Sequence, residues 1–220
     1  MFDPLAEIDR ALAHQAGWSW FDDYLLYTCG VAQRLTGPGP VELPGKPTRI
    51  RLAAGEKCLA EGPVHWAVWR APEPPRPSRR PGGITIGSSS GNTVTVTLGG
   101  GSAHRRRGPV GGQWVRERPG TATITDQRLH FTNPDRSFSL PWSALETIDL
   151  TAPDRVTLSF PDDAGERRQL QAQTPWAVLV FVVAAFLQFP AHPLLESGRW
   201  LPAGFEEKCH LAGKTCPRVR

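Results

Sequence analysis

Between residues 120 and 172 the chain alternates polar and apolar residues in short runs, each closed by a turn signal. Thr121-Ala122-Thr123-Ile124-Thr125 alternates, Asp126-Gln127 turns, and Arg128-Leu129-His130-Phe131-Thr132 alternates again. Asn133-Pro134-Asp135-Arg136 makes the next turn, and Phe138 and Leu140 begin a strand that stops at Pro141-Trp142. Ile148 and Leu150 follow, then Val156, Leu158 and Phe160, the turn 161–165 and the run 167–172. A period of two sends successive side chains to opposite faces of a sheet. Strands this short, with turns about every eight to twelve residues, predict a small barrel or sandwich. Leu129 and Phe131 are expected on one face and Arg128 and His130 on the other, with His130 pointing away from the core as a solvated surface residue.

The flanks read as helix. Asp3-Pro4 opens a helix carrying Leu5, Ile8 and Leu12, and Gly17 closes it. Ser19 with Asp22 has the form of a capping box for a second helix, which ends near Gly37-Pro38-Gly39-Pro40. Residues 1–36 are therefore expected to form a helical hairpin with an aromatic face (Trp18, Trp20, Phe21, Tyr24, Tyr27). That face needs a partner, either the main domain or another chain. Residues 37–54, rich in Gly and Pro, read as a linker.

From Cys58 to Trp69 a long, bent strand is expected, with Pro63 at an edge or a bulge. Five prolines in 71–81 predict an extended loop. Ile84–Ile86 and Val94–Leu98 predict a hairpin inside an insert spanning 71–119. After Pro175, residues 176–187 are apolar all round, which predicts burial or lipid. The run is too short for the ~20 residues of a membrane span, so a buried terminal helix is expected. The tail, 190–220, shows little periodicity and reads as irregular and partly mobile.

Charge is unevenly placed. Residues 70–118 hold nine Arg against Glu73 and Glu117, net +7, in a chain whose total is +4. Such asymmetry marks either an anionic partner or a solvated insert. Four Cys are too few for a disulfide scaffold, and Cys209-His210 with Cys216 fits no common zinc spacing, so no metal and no cofactor are expected. Gly87–Asn92 lacks the Lys of a nucleotide loop, and the six His are scattered. The beginning Met1-Phe2-Asp3-Pro4 has no secretory pattern, and a cytoplasmic protein, peripheral at the inner membrane face, is expected.

Gly120–Thr132 is similar to the G-x-hydrophobic-x-hydrophobic-T-x-x-R-hydrophobic-x-F hairpin of GRAM domains and bacterial PH-like domains. Phe138–Ile148 looks like their next strand, proline and return strand. Gly55–Leu59 resembles the opening strand, and Thr174-Pro175-Trp176 the final helix. The resemblance covers about 55–189, interrupted by the insert. It implies a seven-strand bent barrel capped by a C-terminal helix, and a binding module without catalysis. Some relatives hold phosphoinositides through basic residues near the first strand-to-strand loop, which here is the insert. Arg116-Glu117-Arg118 has the K/R-x-R form of lipid-binding PH domains.

The expected function is thus non-catalytic docking at an anionic surface, either lipid headgroups or an acidic protein. The expected anion contacts are Arg79, Arg80, Arg105, Arg106, Arg107, Arg116 and Arg118. The alternative is a protein-interaction scaffold using the aromatic helices. Sequence-blind nucleic-acid binding ranks third.

Overall fold

Strand β1 (Cys58–Arg70) organises the molecule by changing neighbours along its length. Its first half, Cys58 to Val64, pairs antiparallel with β3 (Gly120–Thr125). Its second half, His65 to Val68, pairs antiparallel with β8 (Arg167–Gln173). Pro63 stands opposite Thr121, just before β8 takes over at His65, so its missing N–H falls where β1 changes partner. A register shift between Cys58 and Ala60 adds to the bend.

The computed structural model describes residues 4–37, 42–70, 112–217 and 219. It divides into two units, Met1–Val68 with Val115–Arg220, and Trp69–Trp114. Of the second unit only 69, 70 and 112–114 are described; there Trp69 and Trp114 meet edge to face, with centroids 5.3 Å apart. The hairpin expected at 84–98 and the proline-rich loop lie outside the described residues.

The fold is mainly antiparallel sheet with a few helices. The remaining strands are β2 (Gln113–Arg116), β4 (Arg128–Thr132), β5 (Ser137–Pro141), β6 (Thr147–Ala152) and β7 (Arg155–Pro161). The order is β5-β4-β3-β1-β8-β7-β6, with β2 paired to β1 off this path. The expected count of seven is therefore exceeded among the described residues, and the path is open, ending at β5 and β6. The alternation is as read from the sequence: on β4, Leu129 and Phe131 are buried while Arg128, His130 and Thr132 are only partly covered.

Helix α3 (Ala177–Gln188) is buried from Ala177 through Ala185. It packs on β6 and β7 with one side and on α2 (Trp20–Thr36) with another, which is why it has no polar face. Among the described residues, no helix is long and apolar enough to cross a membrane. Phe181, Leu179 and Val182 meet the strand residues Ile148, Leu158 and Leu170 in one core.

The N-terminal helices belong to the same unit as the sheet. Helix α1 (Pro4–Gln15) contacts α5 (Phe205–Leu211), and α2 lies on α3. The aromatic face finds its partners there: Tyr24 and Tyr27 lie 4.2 and 5.5 Å from Trp176, Trp18 lies 5.9 Å from Phe205, and the Tyr27 hydroxyl donates to the Leu59 carbonyl at 2.6 Å. At the start of α2, the Asp22 carboxylate accepts from the Ser19 N–H and hydroxyl at 2.6 and 2.7 Å, as the capping-box spacing predicts.

The described residues of 37–54 form no helix or strand and are mostly exposed, but they are anchored to the sheet: Leu43 is buried, the Lys46 N–H donates to the Cys58 carbonyl at 2.7 Å, and its ammonium lies 3.8 Å from the Tyr27 ring centroid. One expectation needs correction: the described part of the tail 190–220 is not irregular. It holds α4 (Pro193–Glu196) and α5, and buries Trp200, Leu201, Phe205, Cys209 and Ala212. Phe205, Cys209 and Ala212 fall on one helical face, and burying that face fixes the segment.

Candidate functional site

The groove follows from the change of neighbours along β1. Where β1 leaves β3 for β8, Pro63, His65 and Ala67 line it. Gln171 and Gln173 of β8 stand opposite Ala67 and His65, Arg155 at the start of β7 stands opposite Gln173, and Asp154 and Thr174 flank them in the lining. Arg116 and Glu117 complete the lining with Trp20, at the first turn of α2. The open space is about 560 Å³.

The charges in this groove are not balanced. Glu117 is held by Arg136 at 3.0 Å, and Asp154 accepts from the Gln173 amide at 2.7 Å. The two acids of the lining are thus engaged. Arg116 and Arg155 have no ion pair or side-chain hydrogen bond among the described residues. Two guanidinium groups without acid partners leave a net positive site open to solvent, and each can present a two-pronged donor to a phosphate or carboxylate. Trp66 also lines the groove, and its buried indole N–H has no acceptor among the described residues. Such a donor costs about 1–3 kcal/mol until an acceptor reaches it. Trp20 keeps 65% of its surface exposed while bracing edge-on against Phe21 and Tyr24.

Of the arginines expected from the sequence, Arg116 is in the groove. Arg118 is not: it lies beyond the end of β2 and pairs with Asp135 at 3.2 Å, while its carbonyl accepts from Asn133. Its charge is therefore answered at the β4–β5 turn. Arg79, Arg80, Arg105, Arg106 and Arg107 lie outside the described residues. Arg155 escaped the sequence reading because it sits in a segment with nearly balanced charge. Only the β6–β7 pairing brings it to the same groove as Arg116.

A second polar cluster corrects the reading of His130 as a solvated residue. Its outward face is covered by the segment leading into β1, and its Nε2 lies 3.2 Å from Glu56 Oε1, with the His130 side chain only 18% exposed. An ionised carboxylate only accepts, so the Nε2 proton sits on the imidazole. Glu56 is buried and accepts further from the Thr125 hydroxyl at 2.7 Å and the Ala53 N–H at 3.0 Å. Arg128 Nε approaches the same oxygen at 3.5 Å, as a charge contact without hydrogen-bond geometry. Burial pushes the Glu56 carboxyl up, but the hydrogen bonds from Thr125, Ala53 and His130 and the Arg128 charge outweigh it and hold it below its ordinary 4.5.

Thr125 explains the T-x-x-R spacing. Its Oγ1 accepts from the Gln127 and Arg128 N–H groups at 3.2 and 2.9 Å, closing the β3–β4 turn while donating to Glu56. One strand position back on the same face, Thr123 donates to Glu61 at 3.2 Å, and Thr48 does so at 2.6 Å. The groups of both clusters bind each other, which makes them architecture rather than an open site.

No family model, no curated protein and no solved structure matches the chain. The groove is therefore read on its own chemistry.

Proposed function

We propose that this chain is a non-catalytic, PH/GRAM-like binding module that docks at an anionic lipid surface, with a headgroup phosphate entering between Arg116 and Arg155. The observation that carries this is the pair of arginines without acid partners in a groove whose own acids are engaged. With β2 set aside, the sheet is a four-strand meander (β1, β3, β4, β5) joined through β1 to a three-strand one (β6, β7, β8). A buried helix then follows the last strand. That order is in keeping with the seven-strand, helix-capped architecture that the hairpin motif implies.

The net +7 of residues 70–118 adds long-range attraction, since each Arg near an anionic membrane contributes ~1 kcal/mol. The scaffold alternative has less support, because Trp18, Tyr24 and Tyr27 already pack on the chain's own core.

The test is co-sedimentation with phosphatidylglycerol and with phosphatidylcholine vesicles, at roughly 50 mM and 500 mM salt. The expected result is pelleting with the anionic vesicles alone, lost at high salt. The double variant Arg116→Ala with Arg155→Ala is expected to bind about thirty-fold more weakly. Equal binding by the double variant would remove the groove from the site. No binding of the wild-type chain to either vesicle would overturn the lipid reading, and retention on immobilised polyglutamate would then assign an acidic protein partner.

A further inference from the structure

His65 lines the same groove as Arg116 and Arg155 and is exposed on the second half of β1. The strand register aligns it with Arg155. His65 stands opposite Gln173 of β8, and Gln173 stands opposite Arg155 of β7. Residues directly opposite in antiparallel strands share a face, so His65, Gln173 and Arg155 form one row across three strands. Two strand spacings put the backbones of His65 and Arg155 about 10 Å apart. An imidazole and a guanidinium extending from that row can meet on one phosphate. Arg116 joins from β2, which pairs with β1; just past its end the Glu117 N–H donates to the Trp66 carbonyl at 2.9 Å, one residue from His65.

The other charged groups of the lining come from each neighbouring element. Asp154 precedes Arg155 on the β7 side and is bound by the Gln173 amide. Glu117 follows Arg116 and is held by Arg136. β8 contributes the neutral Gln171 and Gln173, and α2 contributes Trp20. On β1 itself the one carboxylate, Glu61, lies outside the lining and accepts from Thr48 and Thr123. His65 has no ion pair or side-chain hydrogen bond among the described residues. Arginine stays charged and carboxylates stay ionised between pH 5 and 8, whereas histidine ordinarily changes charge there. His65 is the one histidine in the lining.

We propose that His65 is a proton-controlled third contact for the headgroup phosphate, so that docking tightens as pH falls through the histidine range; this rests on the docking reading above. A neutral imidazole offers one N–H, and an imidazolium offers two with a full positive charge. A phosphate held by Arg116 and Arg155 favours the imidazolium beside it. By linkage, the imidazolium favours the phosphate to the same extent. Binding therefore takes up a proton wherever the free His65 is neutral. Above the histidine range the two guanidinium groups hold the ligand with one neutral donor beside them. Below it, a third cation joins the same groove.

The test is co-sedimentation of the full chain with phosphatidylglycerol vesicles at about pH 7.5 and about pH 5.5, at roughly 50 mM salt. The phosphodiester of this lipid keeps its single negative charge across that range, so a pH effect reports on the protein. The wild type is expected to bind about five- to tenfold more tightly at the lower pH, the effect of one added charge at an anionic surface. His65→Gln keeps a donor but is neutral at both pH values, and its binding is expected to change by less than twofold between them. His65→Lys is charged at both, and its binding is expected to be equally flat. Wild-type binding that is the same at both pH values, or a full gain kept by either variant, would overturn the proton control while leaving the docking reading intact. No pelleting of the wild type at either pH would overturn the docking reading and the proton control with it.

Discussion

The Lys208 ammonium donates to the Asp22 carboxylate at 2.8 Å, tying α5 to the first turn of α2 across 186 positions of sequence. Asp22 is 7% exposed at its side chain and Lys208 32%, so the pair is largely shielded on the acid side and wetter on the other. Burial raises the Asp22 carboxyl, but the bonds from Lys208 and Ser19 outweigh it and leave it below its ordinary 3.8. Lys208→Met keeps the apolar stem and removes the charge. It is expected to destabilise by ~1–2 kcal/mol, lowering the thermal midpoint by a few degrees. Asp22→Asn is expected to cost a similar amount. In a double-mutant cycle the two losses are expected to be less than additive; full additivity would show that the pair does not couple.

Acid should unfold this protein through its hydrogen-bonded, buried or half-buried carboxylates. Asp22, Glu56 and Glu61 all hold their protons less tightly in the folded state than their ordinary values of 3.8, 4.5 and 4.5. For a depressed carboxylate the stabilisation is present above the unfolded value and is lost as pH falls through the folded one. Urea midpoints are therefore expected to be flat near pH 6 and to fall steadily between about pH 4.5 and pH 3. Glu56→Gln removes the charge facing His130 and Arg128 and is expected to cost ~2–4 kcal/mol at neutral pH, with a shallower acid slope. An acid slope equal to that of the wild type would show that Glu56 is not among the groups responsible.

The elements with a local signal were the legible ones. The 120–132 hairpin, the long strand from Cys58, the Ser19–Asp22 cap and the apolar 176–187 run each follow from residues a few positions apart. The misreadings came from contacts between distant segments. His130 does point away from the apolar core, as alternation requires, but Glu56 of the entry segment covers it. The tail reads as irregular because its prolines mask a seven-residue helix, which buries Phe205 and Cys209 and meets distant residues, Trp18 at Phe205 and Asp22 at Lys208. In the groove, clustering of charge was enough to mark Arg116, whereas Arg155 needed the sheet pairing. Arg118, two positions from Arg116, shared the same sequence signal yet serves an ion pair with Asp135.

Two glycines should respond in opposite directions to the same substitution. A Cβ on Gly120 would collide with the Thr132 carbonyl oxygen and, at 2.8 Å, with the Trp66 ring. Gly120→Ala is expected to cost ~2–3 kcal/mol, because backbone and a buried indole would both have to move. Gly30 sits within α2 with open space around its would-be Cβ and no positive φ. Gly30→Ala is expected to stabilise by up to ~1 kcal/mol through helix propensity. Thermal melts of both variants against wild type check the pair, and a destabilised Gly30→Ala would show that α2 is packed more tightly there than its surroundings indicate.

Trp20 offers a way to separate binding from folding. Most of the aromatic residues near the start of the chain's helices are partly covered by the chain itself, but Trp20 is 65% exposed and lines the groove that holds Arg116 and Arg155. An exposed side chain contributes little to the core, so Trp20→Ala is expected to shift stability by no more than ~0.5 kcal/mol. An exposed indole lining the same groove as two cationic groups suits an interface where one end is apolar and the other wet. Its truncation is expected to weaken binding to phosphatidylglycerol vesicles by about five- to tenfold. The loss should persist at high protein concentration and should add to that of Arg116→Ala, since the ring and the guanidinium act on different parts of a headgroup. Unchanged vesicle binding with an unchanged melt would place Trp20 outside the contact surface and confine the site to the charged residues of the groove.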